Sequence, residues 1–330
     1  MKPLFSSSLA PVLERYVGMK RALGRKFESA THVLRSLDRV LANEGHPDLN
    51  GMAFDSWCRA QDHLASGVRR VLMLEVHAFC LYRRRTEPKC FLPDPQTFPP
   101  YHQRLRPHIF TESEVAHLLD AASRLRRNPS TPLRPELTRL AIVLLFTTGI
   151  RRGELLNLTE GDYDRHEATL HIRATKFFKS RLLPIHEGIA KEIETYLAVR
   201  AGLKLPSSPS TPLFWNTIGG GRAYSGSGIS YCIKPLFDQC GIKTANGHNP
   251  RIHDFRHSFA VNALLRWYRT GADVDAKLPQ LATYLGHGSA ISTHHYLHFI
   301  EPMRAAASER FAKLYGSLIV PASPERKGLR

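Results

Sequence analysis

Six prolines (Pro88, Pro93, Pro95, Pro99, Pro100 and Pro107) fall between Glu87 and Pro107, and they divide the chain. Proline lacks the backbone N–H that a helix or an inner strand needs, so such a stretch runs extended and rather stiff. The 330 residues on either side of it make two domains, in keeping with about 150 residues per domain. A helical domain is expected over 1–86, a proline-rich linker over 87–107, a second domain over 108–316 and a disordered tail over 317–330. A linker of this length would let the two domains sit on opposite sides of a partner.

The first domain reads as helices. Leu13, Val17 and Leu23 fall near one face of a segment from Pro11 to Leu23. Ala30, Val33, Leu34, Leu37, Val40 and Leu41 do the same over Ser29–Leu41, and Phe54–Ala60 and Gly67–Tyr82 continue the pattern. In the second domain, Thr111-Glu112-Ser113-Glu114 is a capping box that opens a helix. A helix through Leu137–Thr147 follows, and then a strand pair, Ala168–Ala174 and Arg181–Ile185, joined by a turn over Thr175–Ser180. Helices are expected over Gly188–Ala201, Tyr231–Cys240, Ser258–Tyr268, Leu278–Leu285 and Pro302–Leu314. The fold class is mainly α with a small antiparallel sheet.

Lysine and arginine exceed aspartate and glutamate by 17, while 42 % of residues are hydrophobic. That balance excludes a disordered basic tail and describes a globular protein with an electropositive face, suited to a polyanion. Arg69, Arg70, Arg83, Arg84 and Arg85, on the last helix of the first domain, are candidate phosphate contacts. No apolar run approaches the roughly 20 residues that span a bilayer, so no membrane partner is expected. The five cysteines, Cys58, Cys80, Cys90, Cys232 and Cys240, form no Cys-x-x-Cys pair, as in a reduced, cytoplasmic compartment.

The chemistry concentrates in short stretches of the second domain. In Thr148-Gly149-Ile150-Arg151-Arg152-Gly153-Glu154, Gly149 breaks the preceding helix and Arg151 starts a new one, with Glu154 one turn away to orient it. Lys176 and Lys179 sit on the hairpin. Arg251-Ile252-His253-Asp254-Phe255-Arg256-His257 follows, with Asp254 placed to cap a helix. Last come Leu285-Gly286-His287 and Tyr296, among His294, His295 and His298. Each stretch alone has a bland counterpart: a surface ion pair, a solvated lysine, a satisfied core tyrosine. His253 and His257 have the spacing of two metal ligands on a helix, although Arg256 between them disfavours a divalent ion. Together, two arginines, two histidines, a lysine and a tyrosine in a basic chain suit nucleophilic attack on a phosphodiester. Arginine forks neutralise the nonbridging oxygens and the added charge of the transition state, the phenol is the nucleophile and the lysine can protonate the leaving alkoxide.

In this order, spanning 148–296, the motifs resemble the signature of the tyrosine recombinases, the phage-integrase family of site-specific DNA recombinases. The Leu-Gly-His element with a tyrosine nine residues after the histidine is its most specific part. The resemblance implies a two-domain clamp of a helical core-binding domain and a mixed α/β catalytic domain. It implies that Arg151 and Arg256 clamp the scissile phosphate, His253 assists proton movement, Lys176 is the general acid, His287 bonds a phosphate oxygen and Tyr296 attacks to leave a 3′-phosphotyrosyl link, with Glu154 in support. It further implies double-stranded DNA as partner, a homotetramer on two DNA sites, a place for accessory recombination proteins, and no metal or ATP. A mobile-element integrase is the expected task, with a nucleoid location in a prokaryote. Alignment on Arg-Leu-Leu-Pro selects Lys176 over Lys179, with Lys179 as the alternative. A type IB topoisomerase, a DNA-binding protein without catalysis and a metal hydrolase built on His253 and His257 are the competing readings.

Overall fold

The computed structural model of the chain describes residues 4–100, 106–173 and 180–286. Lys176, Lys179, His287, His294, His295, Tyr296, His298, the helix expected over Pro302–Leu314 and the tail over 317–330 lie outside the described residues. The described chain is mainly α-helical with two small antiparallel sheets. It divides into two compact units, Met1–Leu105 and Arg106–Arg330.

In the first unit, α1 (Ala10–Ala22), α2 (Glu28–Asn43), α3 (Gly51–Arg59) and α4 (Ser66–Arg83) bury one stripe each. Tyr16, Leu34, Leu37, Trp57, Val76 and Phe79 meet in its core. Leu23, expected on the buried face of α1, is exposed because the helix stops one residue before it. Asn50 caps α3 by accepting from Ala53 N at 2.9 Å. Beyond α4, residues 84–100 follow this unit's surface. Cys90 and Phe98 are buried, the His77 ring bonds Pro93 O at 2.8 Å, and Arg70 donates to Phe98 O and Pro99 O at 3.1 and 3.2 Å. The apolar residues between the prolines drive this docking, since each finds core to cover it.

The second unit forms around α6 (Arg134–Thr148), whose stretch over 140–145 is apolar on all sides and correspondingly buried. α5 (Glu112–Ser123) packs on it and opens with the expected capping box between Thr111 and Glu114. α7 (Arg152–Asn157) leads to a sheet of β1 (Tyr163–Asp164), β2 (Thr169–Ile172) and β3 (Arg181–Pro184), in that order, with Leu170 opposite Leu183 and Ile172 opposite Arg181. α8 (Glu187–Gly202) follows, then a second sheet of β4 (Trp215–Asn216) and β5 (Arg222–Ala223), in a segment for which the sequence predicts no strand. Two-residue strands carry no alternation to read, so β1, β4 and β5 had no sequence signal. α9 (Gly226–Gln239), α10 (Asp254–Arg269) and α11 (Val274–Leu285) complete the described unit. α10 crosses α6, and its Ser258 accepts from Phe110 N at 2.8 Å, which pins the entry of the unit to its centre. No described helix is long and apolar enough to cross a membrane, and the five cysteines are free thiols.

Candidate active site

The site starts where α6 ends. Gly149 terminates the helix at φ +60°, and its Cα presses against α10 and α11. A Cβ there would lie 2.6 Å from the Phe259 ring and 2.9 Å from Leu285 Cδ2. Only glycine combines this left-handed backbone with so close an approach. The tight exit turns the chain so that Arg151 stands at the N-cap of α7. Glu154, one turn on, accepts from the Arg151 backbone N at 3.1 Å and from Arg151 Nη1 at 2.7 Å.

Arg256 comes from α10. The entry to that helix is held by buried Asp254, which accepts from Arg251 N at 2.9 Å and from the Arg251 guanidinium at 2.8 and 3.1 Å. Asp254 is thus the first helical residue, and His253 takes the N-cap position expected of the aspartate. One turn into the helix, Arg256 is 1 % exposed and donates to Gly149 O and Leu285 O, both at 2.7 Å.

Both arginines converge on the C-terminal end of α11, together with a third. The carbonyls of Tyr284, Leu285 and Gly286 each accept from a different guanidinium: Arg181 Nε at 2.9 Å, Arg256 Nη2 at 2.7 Å and Arg151 Nη2 at 2.8 Å. A helix C-terminus leaves carbonyls without intrahelical donors and is the negative end of the helix dipole, so it holds cations well. Glu154 completes the cluster by receiving Arg181 as well as Arg151. Burial alone would raise its carboxyl pKa, but the two arginines outweigh burial and hold it below the ordinary carboxylate value. An ionised carboxylate between two guanidiniums fixes their planes without cancelling the positive charge of the site.

His253 and His257 stand one turn apart with ring centroids 4.8 Å apart and planes at 88°. Burial, then the charges of Arg256, Arg251 and Arg151, pull the His253 pKa below its ordinary value. Burial, then His253, pulls His257 down to about 4. His257 is therefore held neutral in the folded chain. Unfolding releases it to a pKa of about 6.5, so its contribution to stability is complete above that pH and declines as the pH falls toward 4. From this group alone the second unit is expected to be about 2 kcal/mol less stable at pH 5 than at pH 7. Urea unfolding at the two pH values checks this, and His257→Phe should flatten the difference.

The structure thus brings together Arg151, Glu154 and Arg256, with His253 within electrostatic reach of both arginines. Lys176, His287 and Tyr296 lie outside the described residues. Arg181 belongs to the cluster although in the sequence it serves only to align the hairpin. It shares a strand face with buried Leu183, two residues on, and that signal could have placed it indoors.

The arginines expected to contact phosphate from α4 fare differently. Arg83 is paired with two carboxylates, Asp48 at 2.7 Å and Glu87, so its charge is taken up within the fold and it ties that fold together. Arg70 is engaged with the Phe98 and Pro99 carbonyls, and Arg69 pairs with Asp62 at 2.8 Å. Arg84 and Arg85 are exposed. Arginines are held here because one guanidinium can satisfy several acceptors at once. Among the described residues, no three His, Cys, Asp or Glu side chains gather as a metal site.

Residues 108–301 match the phage integrase family. A Sinorhizobium fredii protein that carries the name integrase/recombinase, y4rB, is 31 % identical over 293 residues, which cover 88 % of this chain and 93 % of that protein. Tyrosine recombinase XerA of Thermococcus kodakarensis is 28 % identical over 222 residues, 67 % of this chain and 68 % of that one. Among solved structures, the site-specific recombinase XerH in a post-cleavage complex with palindromic difH substrate shares the fold. It aligns over 92 % of this chain and 84 % of its own, with a TM-score of 0.63 and 17 % identity.

Proposed function

Since this chain belongs to the phage integrase family and is a tyrosine-type DNA recombinase, we propose that it is the site-specific recombinase of a mobile element, cutting and rejoining duplex DNA through a covalent bond to Tyr296. The observation that carries the reading is the convergence of Arg151 and Arg256 at the end of α11, directly before His287 in sequence. Two guanidiniums fixed by carbonyls and a carboxylate suit a phosphate whose negative charge grows as it is attacked.

In the proposed step, the Tyr296 oxygen attacks phosphorus and His253 receives the phenol proton. The bond from phosphorus to the 5′ oxygen breaks, and Lys176 protonates that oxygen. Arg151, Arg256 and His287 hold the nonbridging oxygens, and Glu154 holds Arg151. The 3′-phosphotyrosyl link keeps the energy of the broken bond for the return attack, so the scheme has no place for ATP, and the arginines supply the charge stabilisation that a metal would otherwise provide. A tetramer on two DNA sites, in the cytoplasm and with accessory proteins where needed, would exchange strands in turn. Residues 106–330 would carry the chemistry, and residues 1–105 would grip the duplex.

The test is to express the wild type and Tyr296→Phe in cells, denature the lysates and sequence the DNA that remains bound to protein. Adducts in the wild type alone, clustered at particular loci, are expected. Scattered adducts would favour a type IB topoisomerase. A wild type that forms no adduct and fails to cleave junctions in vitro would leave a DNA-binding protein without catalysis.

A further inference from the structure

We infer that Arg181 is a positioning residue for the cleavage step: it sets both of the anchors between which the Arg151 guanidinium is strung. The inference rests on the proposed recombinase chemistry and adds a residue to it. Arg151 is held at one end by Glu154 and at the other by Gly286 O, and Arg181 bonds the first anchor and lies against the residue that supplies the second. Its Nη1 and Nη2 reach Glu154 Oε1 and Oε2 at 3.2 and 2.8 Å, a two-pronged contact that orients the carboxylate. Its Nε holds Tyr284 O at 2.9 Å, two residues before Gly286. Gly286 itself sits at φ +67° against the Arg181 guanidinium, where a Cβ would lie 2.7 Å from Nη1. All three guanidinium nitrogens of Arg181, Nε included, donate to protein acceptors. It therefore acts on the phosphate through Arg151 and does not itself face it. β3 is what brings it there, since Arg181 opens the strand and pairs with Ile172.

The full chain is tested as wild type, Arg181→Ala, Arg181→Lys and Arg151→Ala on a site recovered from the adduct experiment. Each cleaves two duplexes, one with an ordinary scissile phosphate and one with a methylphosphonate, in which a methyl replaces a nonbridging oxygen and removes the negative charge that the arginines neutralise. On the ordinary phosphate, Arg181→Ala is expected to cleave roughly 10- to 100-fold more slowly than wild type, the usual cost of removing an orienting partner behind a functional group. Arg181→Lys, which keeps the charge and one prong, should fall between them. On the methylphosphonate, the deficits of Arg151→Ala and of both Arg181 variants should shrink together. A merely structural role would slow both substrates alike, and that result, or wild-type rates in both Arg181 variants, would overturn the inference while leaving the recombinase reading intact. Should Arg181→Ala unfold, as judged by its urea midpoint, Arg181→Lys carries the same comparison. A wild type inactive on both duplexes would remove the recombinase reading and this inference with it.

Discussion

Replacing Arg256 by alanine is expected to lower DNA cleavage by about two to three orders of magnitude, the effect of removing one preorganised donor from a developing oxyanion. Duplex binding should change little, because affinity for DNA is spread over many phosphate contacts. The same substitution should also cost stability. Arg256 is buried, and its guanidinium bridges Gly149 O and Leu285 O across α6, α10 and α11. Losing it strands two buried carbonyls at about 1–3 kcal/mol each. Arg256→Lys can keep one of the two contacts and should recover part of the stability but little of the cleavage, since it loses the fork geometry. Urea unfolding, a gel-shift titration and a cleavage assay separate the three effects. Normal cleavage by Arg256→Ala would remove this residue from the proposed site.

Gly149→Ala should be among the most destabilising single-methyl additions in the second unit. The backbone at φ +60° costs an L-residue about 1–2 kcal/mol, and contacts of 2.6 and 2.9 Å with Phe259 and Leu285 add overpacking of about 1–3 kcal/mol. A fall of roughly 5–15 °C in the unfolding midpoint follows for a unit of this size. Gly153→Ala is the control four residues away: a Cβ there meets nothing within 4 Å, and the residue lies inside α7. It should leave the midpoint unchanged or slightly raised, as alanine is the better helix former. The prediction fails if the two variants melt together. Because Gly149 O is an acceptor of Arg256, any folded Gly149→Ala should also cleave poorly.

Much of this arrangement is legible in the order of residues. Thr111 and Glu114 do form the capping box, Gly149 does end α6, and the alternation through Thr169–Ile172 is a strand. Arg151 and Arg256 converge on the end of α11, with Glu154 beside Arg151. Such features are written locally: a cap joins residues three apart, a helix stop is one residue, and an alternating strand shows its own period. The family signature adds Lys176, His287 and Tyr296 to the candidates, since their roles follow from motif order and not from any local period.

Tertiary structure alone decided which partners hold each guanidinium. Arg83 looks like a phosphate contact in a run of three arginines, but Asp48, 35 residues away, draws it inside. Arg181 looks like a strand residue beside a turn, but Glu154 and Tyr284, 27 and 103 residues away, make it part of the arginine cluster. The three carbonyls that end α11 carry no sequence signal, because every peptide has one, and only the packing of the start of α7, of α10 and of β3 around that helix end makes them acceptors. Residue type and spacing determined that this chain carries the parts for phosphodiester chemistry. Contacts between residues far apart in sequence decided how those parts are held, since a hydrogen bond depends on distance in space and composition does not encode it.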